Sequence, residues 1–545
     1  MRQAHDVATV RAAEQALMAA LPPGTLMQRA AAGLATVCAG VLGRVYSTRV
    51  VVLAGSGDNG GDALYAGARL ARRGARVTAV AAASRVHEQA ATALRAAGGR
   101  VTGAGDPGLP ALIGTADLVL DGLLGIGGHG GLREPYAALA ALTGAAAGPA
   151  GPVVLAVDLP SGIDADTGAV DGPAMWADVT VTFGTWKPGL LIDPGAGHAG
   201  VAELVDIGLG PYLAGPAAAA FQAADVAALL APPAGDADKY RRGVLGLVAG
   251  SDRFTGAATL AVGGALRGGA GMVRLVTTAA AAAVARQHWP EALVTVTGDG
   301  PQAPGPAQAP GAGQTGRGGQ EVAGAGRVQA SPGAGQGGQE VAGAGRVQAW
   351  VAGPGMGTQQ AARDRLAAVL ATDLPVLVDA DALTLVGQEP GLLDRAAPTL
   401  LTPHAGELAR LLGTGPEDVE AGRLAHARAA ASRFGATVLL KGSTTVIAPA
   451  GGGAVLVNPT GTSWLATAGT GDVLSGLAGA LLAHGLPVPQ AAAAAAYLHG
   501  LAGRLAAAGW DPASPDGEGP GAAESPIAAG DVIRALPAAI RRVRA

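Results

Sequence analysis

The segment Ala468-Gly-Thr-Gly-Asp472-Val-Leu-Ser-Gly476 places a carboxylate just inside a helix that opens on glycines. Free N–H groups and the helix dipole at such an end face a developing phosphate charge, and the acid can accept the proton of an attacking hydroxyl. Phosphoryl transfer needs little more than an anion hole, a base, usually a metal, and correct placement. Taken alone, the string equally fits an Asp-capped helix after a flexible turn. Its companions favour chemistry: Leu439-Leu-Lys441-Gly-Ser-Thr-Thr445, Leu401-Thr-Pro-His404-Ala-Gly-Glu407, Val378-Asp-Ala-Asp381 and Ala352-Gly-Pro-Gly-Met-Gly357 each put a polar or Gly-rich turn after an apolar run.

A second group lies upstream. Gly55-Ser-Gly-Asp58-Asn-Gly-Gly-Asp62 follows an apolar strand and precedes a helix, so backbone N–H groups can approach a polar ligand closely. Two later strands end in acids: Val119-Leu-Asp121 runs into Gly125-Ile-Gly-Gly-His-Gly-Gly131, and Ala156-Val-Asp158 into Leu-Pro-Ser161-Gly. An unpaired buried carboxylate is costly. Helix capping explains one such acid; two, with Asn59 and Ser161, favour a site.

These turns need strands to hold them. Apolar runs at Arg49–Ala54, Ala75–Ala81, Leu118–Asp121, Val153–Asp158 and Val179–Phe183, separated by helical stretches, predict a parallel sheet covered on both faces. A second block runs through Val244–Ala249, Met272–Thr277, Ala349–Ala352, Pro375–Val378, Thr399–Thr402 and Thr437–Lys441. The expected fold class is α/β, with two three-layer α/β/α domains at 1–213 and 238–545 and a linker at 214–237. Within the second domain stands a low-complexity insert, about 298–348, in which GGQEVAGAGRVQA occurs at Gly318–Ala330 and again at Gly337–Ala349. So Gly-rich a repeat predicts a surface loop without a packed core, its last residues entering the next strand.

At 545 residues two cores are the natural expectation. A net charge of −4 offers no basic field for nucleic acid or an anionic membrane. Hydrophobic residues make up 49% but aromatics only 3%, so Ala, Val and Leu must fill the interior. The single cysteine, Cys38, excludes an intramolecular disulfide and reads as a buried residue on a helix. Charges near the N-terminus, and apolar runs that are short or broken by Gly, Pro and charge, predict a soluble, cytoplasmic chain with no membrane association.

The strings GSGDNGGD, VLDGLLGIG, AVDLPSGID and TFGTWKPGLLIDPG resemble the N-terminal domain of the NAD(P)H-hydrate epimerases, a Rossmann-like fold. The resemblance implies contacts to hydrated NADH or NADPH from Asp58, Asn59, Gly60, Gly61 and Asp62, from Gly125, Ile126, Gly127, Gly128, His129, Gly130 and Gly131, and from Asp158. It also implies potassium held by Asn59, Asp121 and Ser161, an oxygen set suited to a hard cation. Asp121 and Asp158 are both candidates for the base that works at C6 of the nicotinamide ring; a solvated loop position suits His129 better than catalysis. Asp58 departs from the family's usual Asn, and Ala63 from a usual Gly.

Downstream, GTGD and its neighbouring turns, with Asp238-Lys-Tyr-Arg-Arg-Gly-Val-Leu-Gly and Phe254-Thr-Gly-Ala-Ala258, resemble the ribokinase-like superfamily and its nucleotide-dependent NAD(P)H-hydrate dehydratases. That implies hydrate contacts from Ala257, Gly355 and His404, nucleotide contacts from Lys441, Gly442, Ser443, Thr444, Thr445 and Gly471, and Asp472 on the hydrate hydroxyl. Implied too are ADP as co-substrate, magnesium, small-molecule partners only, and a homo-oligomer. Thr384 and Ala405 stand where relatives carry Asn and Pro. The alternative is a ribokinase-like vitamin-precursor kinase fused to a non-catalytic Rossmann-like module.

Overall fold

A computed structural model describes residues 1–83, 85–230, 232, 238–298, 335–509 and 524–545. The chain divides into two compact units, one spanning 2–220 and the other most of 221–545. The expected linker therefore contains regular structure, a strand at Ala218–Ala220 and a helix at Ala223–Leu229.

In the N-terminal unit, helices α1 (Val7–Ala19), α2 (Thr25–Leu42) and α3 (Asp58–Arg72) accompany strands β1 (Arg49–Ala54), β2 (Arg76–Ala81), β3 (Arg100–Gly103), β4 (Leu118–Gly122), β5 (Val153–Val157), β6 (Val179–Phe183) and β7 (Val201–Val205). The sheet is parallel throughout, in the order β3-β2-β1-β4-β5-β6-β7. Winding reverses between β1 and β4, which opens a crevice at their carboxyl ends. The central strands are buried Val and Leu on both faces. Two edge strands, β3 and β7, had no clear sequence signal: they are short and half-exposed, so they lack a continuous apolar run. By length and composition helix α2 is apolar enough to cross a membrane, but Arg29, Gly33 and Gly40 interrupt it, as expected of the apolar runs in this chain. Its Ala31, Leu34 and Cys38 are nonetheless buried in the core.

The C-terminal unit contains β8 (Val244–Val248), β9 (Met272–Thr277), β10 (Leu293–Val296), β11 (Ala349–Ala352), β12 (Val376–Val378), β13 (Thr399–Leu401), β14 (Thr437–Leu440), β15 (Thr445–Ala448) and β16 (Val455–Asn458). These run in the order β16-β15-β14-β13-β12-β11-β8-β9-β10. Strands β8 to β14 pair in parallel, and the last two pairings are antiparallel. Here winding reverses between β8 and β11. Its helices include α4 (Thr255–Arg267), α5 (Gln336–Gly343), α6 (Ala405–Leu412), α7 (Thr470–Ala483) and α8 (Val488–Ala507), and α4, α7 and α8 pack with alanine and glycine at their contacts. A Cβ built on Gly476 would stand 1.9 Å from the Ala261 carbonyl oxygen, so only glycine lets α7 lie this close to α4. That close approach fixes the start of α7, where Asp472 sits.

The insert departs from expectation. Its first repeat, 318–330, lies outside the described residues. The second does have a packed core: it forms α5, buries Val341 and Val347, and pairs Glu340 with Arg365 at 2.6 Å. The Gln348 side chain accepts from the Val244 N–H at 2.7 Å. Tertiary packing here overrides poor intrinsic helix propensity. Deletion of 335–347 removes two buried valines, each worth about 1.5–3 kcal/mol, and orphans Arg365. The C-terminal unit of such a variant is expected to melt at a lower temperature by scanning calorimetry, with the N-terminal transition unmoved.

Candidate active sites

The crevice of the N-terminal sheet opens into a cleft of about 1100 Å³. Asp58, Asn59, Gly60, Gly61 and Asp62 form the first turn of α3, and Asp58, Asn59 and Asp62 line the cleft. Gly125, Ile126, Gly127 and Gly128 line it as well. His129, Gly130 and Gly131 are not among its lining residues; His129 is 70% exposed and faces Asp164 at 3.5 Å. Gly131 is instead packed against Gly172.

Asp121 ends β4 fully buried. Its Oδ1 accepts from Ser161 Oγ at 2.7 Å and its Oδ2 from the Ser161 N–H at 2.8 Å. Burial lifts the carboxyl to about 6, against the pull of those hydrogen bonds from Ser161 and another from Leu123. Ser161 Oγ also accepts from the Leu124 N–H at 2.9 Å, and Asn59 Nδ2 donates to the Leu124 carbonyl at 3.0 Å. Asn59, Asp121 and Ser161 thus converge on one backbone segment.

Asp158 lines the cleft from a left-handed backbone, φ 66°. Its Oδ1 receives Lys187 Nζ at 2.5 Å, together with Thr182 Oγ and the Phe183 N–H, each at 3.2 Å. Lys187 is itself buried and donates further to Thr182 Oγ and the Phe183 carbonyl, both at 3.0 Å. Sequence reasoning passed over this lysine, although a charge inside the apolar string TFGTWKPGLLI was a usable signal. Glu14, on α1, was also missed. It lines the same cleft, and burial followed by the charge of Asp158 raises its carboxyl above the usual range. Asp62 is pushed well up by burial and by Asp158, Asp58 and Glu14, and its buried Oδ1 has no hydrogen-bond partner.

The second site gathers around the start of α7. Gly469 takes φ 87° before it, and Asp472 lies in the first turn. Burial raises the Asp472 carboxyl to about 7; Asp379, Asp381 and Glu407 push the same way, and Lys441 opposes them. Lys441 Nζ meets Asp379 Oδ1 at 2.9 Å and Glu407 Oε2 at 3.6 Å, while Asp379 Oδ2 accepts from Ser475 Oγ at 2.7 Å. Asp379 is held because Gly353, φ 134°, admits its carbonyl 1.8 Å from where a Cβ would stand. Behind the helix, buried His499 donates from Nε2 to the Thr470 carbonyl at 2.9 Å; burial lowers this imidazole to about 4, so it is neutral.

Ala257 and Gly355 come together, a Cβ on Gly355 falling 2.7 Å from that of Ala257. Gly471 adjoins Lys441, whose Nζ is 3.6 Å from the equivalent point. His404 caps α6 (Ala405–Leu412): its Nδ1 accepts from the Gly406 N–H at 3.0 Å, and its own N–H donates to Glu407 at 2.8 Å. Gly442 and Ser443 form the turn after β14, but Thr444 and Thr445 are buried and Thr445 already begins β15. Asp379 and Ser475 fell within the quoted strings but were given no role, and His499 was not expected at the site. Ser475 follows Asp472 by three positions and so shares its helix face.

Two α/β domains, each gathering acids beyond the carboxyl ends of its parallel strands, define a two-site enzyme built for polar and phosphorylated ligands. The family described as NAD(P)H-hydrate dehydratase matches residues 245–513, and that described as YjeF-related protein N-terminus matches 23–189. The bifunctional NAD(P)H-hydrate repair enzyme Nnr of Mycobacterium leprae is 45% identical over 514 residues, covering 93% of this chain and 95% of its own. Its counterpart in Mycobacterium tuberculosis (strain H37Rv) is 46% identical over 499 residues, covering 90% and 92%. Among solved structures, the ADP/ATP-dependent NAD(P)H-hydrate dehydratase of Bacillus subtilis co-crystallized with ATP/Mg2+ is 25% identical, with a TM-score of 0.43, over 60% of this chain and 99% of that one. The chain belongs to the bifunctional NAD(P)H-hydrate repair enzymes.

Proposed function

We propose that the chain restores hydrated NADH and NADPH, with an epimerase within residues 1–213 and an ADP-dependent dehydratase within 238–545. The observation that carries this reading is Asp472, a buried acid poised near neutral pH at the mouth of a glycine-opened helix. As general base it takes the proton of the C6 hydroxyl of the S epimer. The freed oxygen attacks the terminal phosphate of ADP, and AMP departs. Phosphate then leaves C6 as a proton is lost from C5, which restores the ring double bond. Phosphate is a far better leaving group than hydroxide.

Ala257, Gly355 and His404 are assigned to the hydrate, and Gly442, Ser443, Thr444, Thr445 and Gly471 to the nucleotide. Magnesium brought by the nucleotide phosphates would supply charge neutralisation during transfer. In the N-terminal unit, Asp158 faces the cleft and is assigned as base, while Asp121 is turned to Ser161. The oxygens of Asn59, Asp121 and Ser161 fit a hard monovalent cation, and potassium bound there would fix the loop after β4 against the substrate. The contacts of hydrated coenzyme are assigned to Asp58–Asp62, Gly125–Gly128 and Asp158.

The full chain given mixed hydrate epimers, ADP and magnesium should regenerate NADH absorbance to completion, and none without nucleotide. Replacing potassium by a tetraalkylammonium ion should slow consumption of the R epimer and leave that of the S epimer unchanged. Phosphorylation of a stable alcohol with the hydrate untouched would establish the vitamin-precursor kinase instead.

A further inference from the structure

Lys441 opens the turn assigned above to the nucleotide, yet its surroundings are those of a counter-ion. Its side chain is 21% exposed, with Nζ between Asp379 Oδ1 at 2.9 Å and Glu407 Oε2 at 3.6 Å. Both partners are fixed from elsewhere. Asp379 accepts from Ser475 Oγ on α7, and Glu407 accepts from the His404 N–H. The ammonium therefore lies in a frame drawn from the ends of β12, β13 and β14 and from the first turns of α7. Within that frame it adjoins Gly471, immediately before Asp472.

We infer that Lys441 is a positioning residue for Asp472, holding the acids of the second site together and supplying the charge against which Asp472 ionises, and is not a ligand of the nucleotide phosphates. The inference rests on the dehydratase reading of that site. The charged groups facing Asp472 are Asp379, Asp381, Glu407 and Lys441. Three of the four are acids, and burial adds to their effect. An opposite charge within about 4–6 Å favours a carboxylate by about one to three pH units, and the Lys441 ammonium acts on Asp472 in that direction. Remove the ammonium and Asp472 must stay protonated to a higher pH, where it cannot accept the hydroxyl proton. A phosphate approaching Lys441 would meet a cation already neutralised by two carboxylates. Burial opposes the charged state of Lys441, but Asp379, Glu407 and Asp472 together hold its proton more firmly than usual.

The test uses the full chain, S-epimer hydrate, ADP and magnesium, with kcat and the KM for ADP measured across pH. Lys441→Met should lower kcat at neutral pH by about tenfold or more and move the acid limb up by about one pH unit or more. Its KM for ADP should change by less than about threefold. Lys441→Arg, which keeps the charge, should leave the limb in place. A KM raised by about tenfold with an unmoved limb would overturn the inference in favour of phosphate contact. Should Lys441→Met fail to fold, Ser475→Ala loosens Asp379 with the lysine intact. An upward move of the limb in that variant supports the frame, and an unmoved limb overturns it. A wild-type chain inactive on the hydrate would instead defeat the dehydratase reading itself.

Discussion

Asp472→Asn is expected to cut dehydration of the S epimer by about 10²–10⁴-fold while R and S forms still interconvert at the wild-type rate. The amide preserves shape and the start of α7 but cannot accept a proton. Paired assays on one preparation check this, one following NADH absorbance with ADP and the other following epimer ratio by chromatography without nucleotide. Equal loss of both activities would contradict two separate sites. The pH dependence has a definite sign. The folded carboxyl sits at about 7, above its ordinary 3.8, so with Asp472 as base the wild-type dehydratase rate is expected to rise through neutral pH. Stability runs the other way: the acid's contribution is full below 3.8 and is lost as pH rises through about 7. Asp472→Asn should consequently unfold at the same temperature as the parent or above it at pH well over 7.

Lys187→Ala is expected to cost about 3–5 kcal/mol in the N-terminal unit and to abolish epimerisation. The substitution leaves Asp158 charged, buried and without its ammonium partner. The other donors to Asp158 are a hydroxyl and one backbone N–H, both at 3.2 Å. Denaturant unfolding of the single variants Lys187→Ala and Asp158→Asn and of their double variant separates the pair energy from lost packing. The double variant should be more stable than Lys187→Ala alone, because the uncompensated charge has gone. A Lys187→Ala chain as stable as wild type would show that solvent reaches Asp158 freely. Dehydration of the S epimer should persist wherever the C-terminal unit stays folded.

The acids at strand ends were legible because an apolar run that stops on Asp has few structural uses. Asp121 and Asp158 were singled out in this way and Asp472 by the glycines that open its helix, while the apolar runs themselves marked the parallel strands of both sheets. Lys187 was not, because its partner lies 29 positions away and is turned toward it only by the left-handed backbone of Asp158. The same holds for Glu14, whose helix precedes the whole sheet. The second repeat was misread for a different reason: Gly-Gly-Gln-Glu has little helix propensity, and only Val341, Val347 and the Glu340 ion pair make the helix stable. His129 stands on the exposed part of its loop, facing Asp164, as a solvated loop position predicts.

In the N-terminal sheet the ligand space arises from topology, because strands β1 and β4 send their chains off in opposite directions and leave a gap at their carboxyl ends. Such a gap survives any single substitution of the acids that work in it. If Asp158 is the epimerisation base, as proposed, a descendant lacking it would accordingly keep the cleft while losing the reaction, one codon away from a module that only binds.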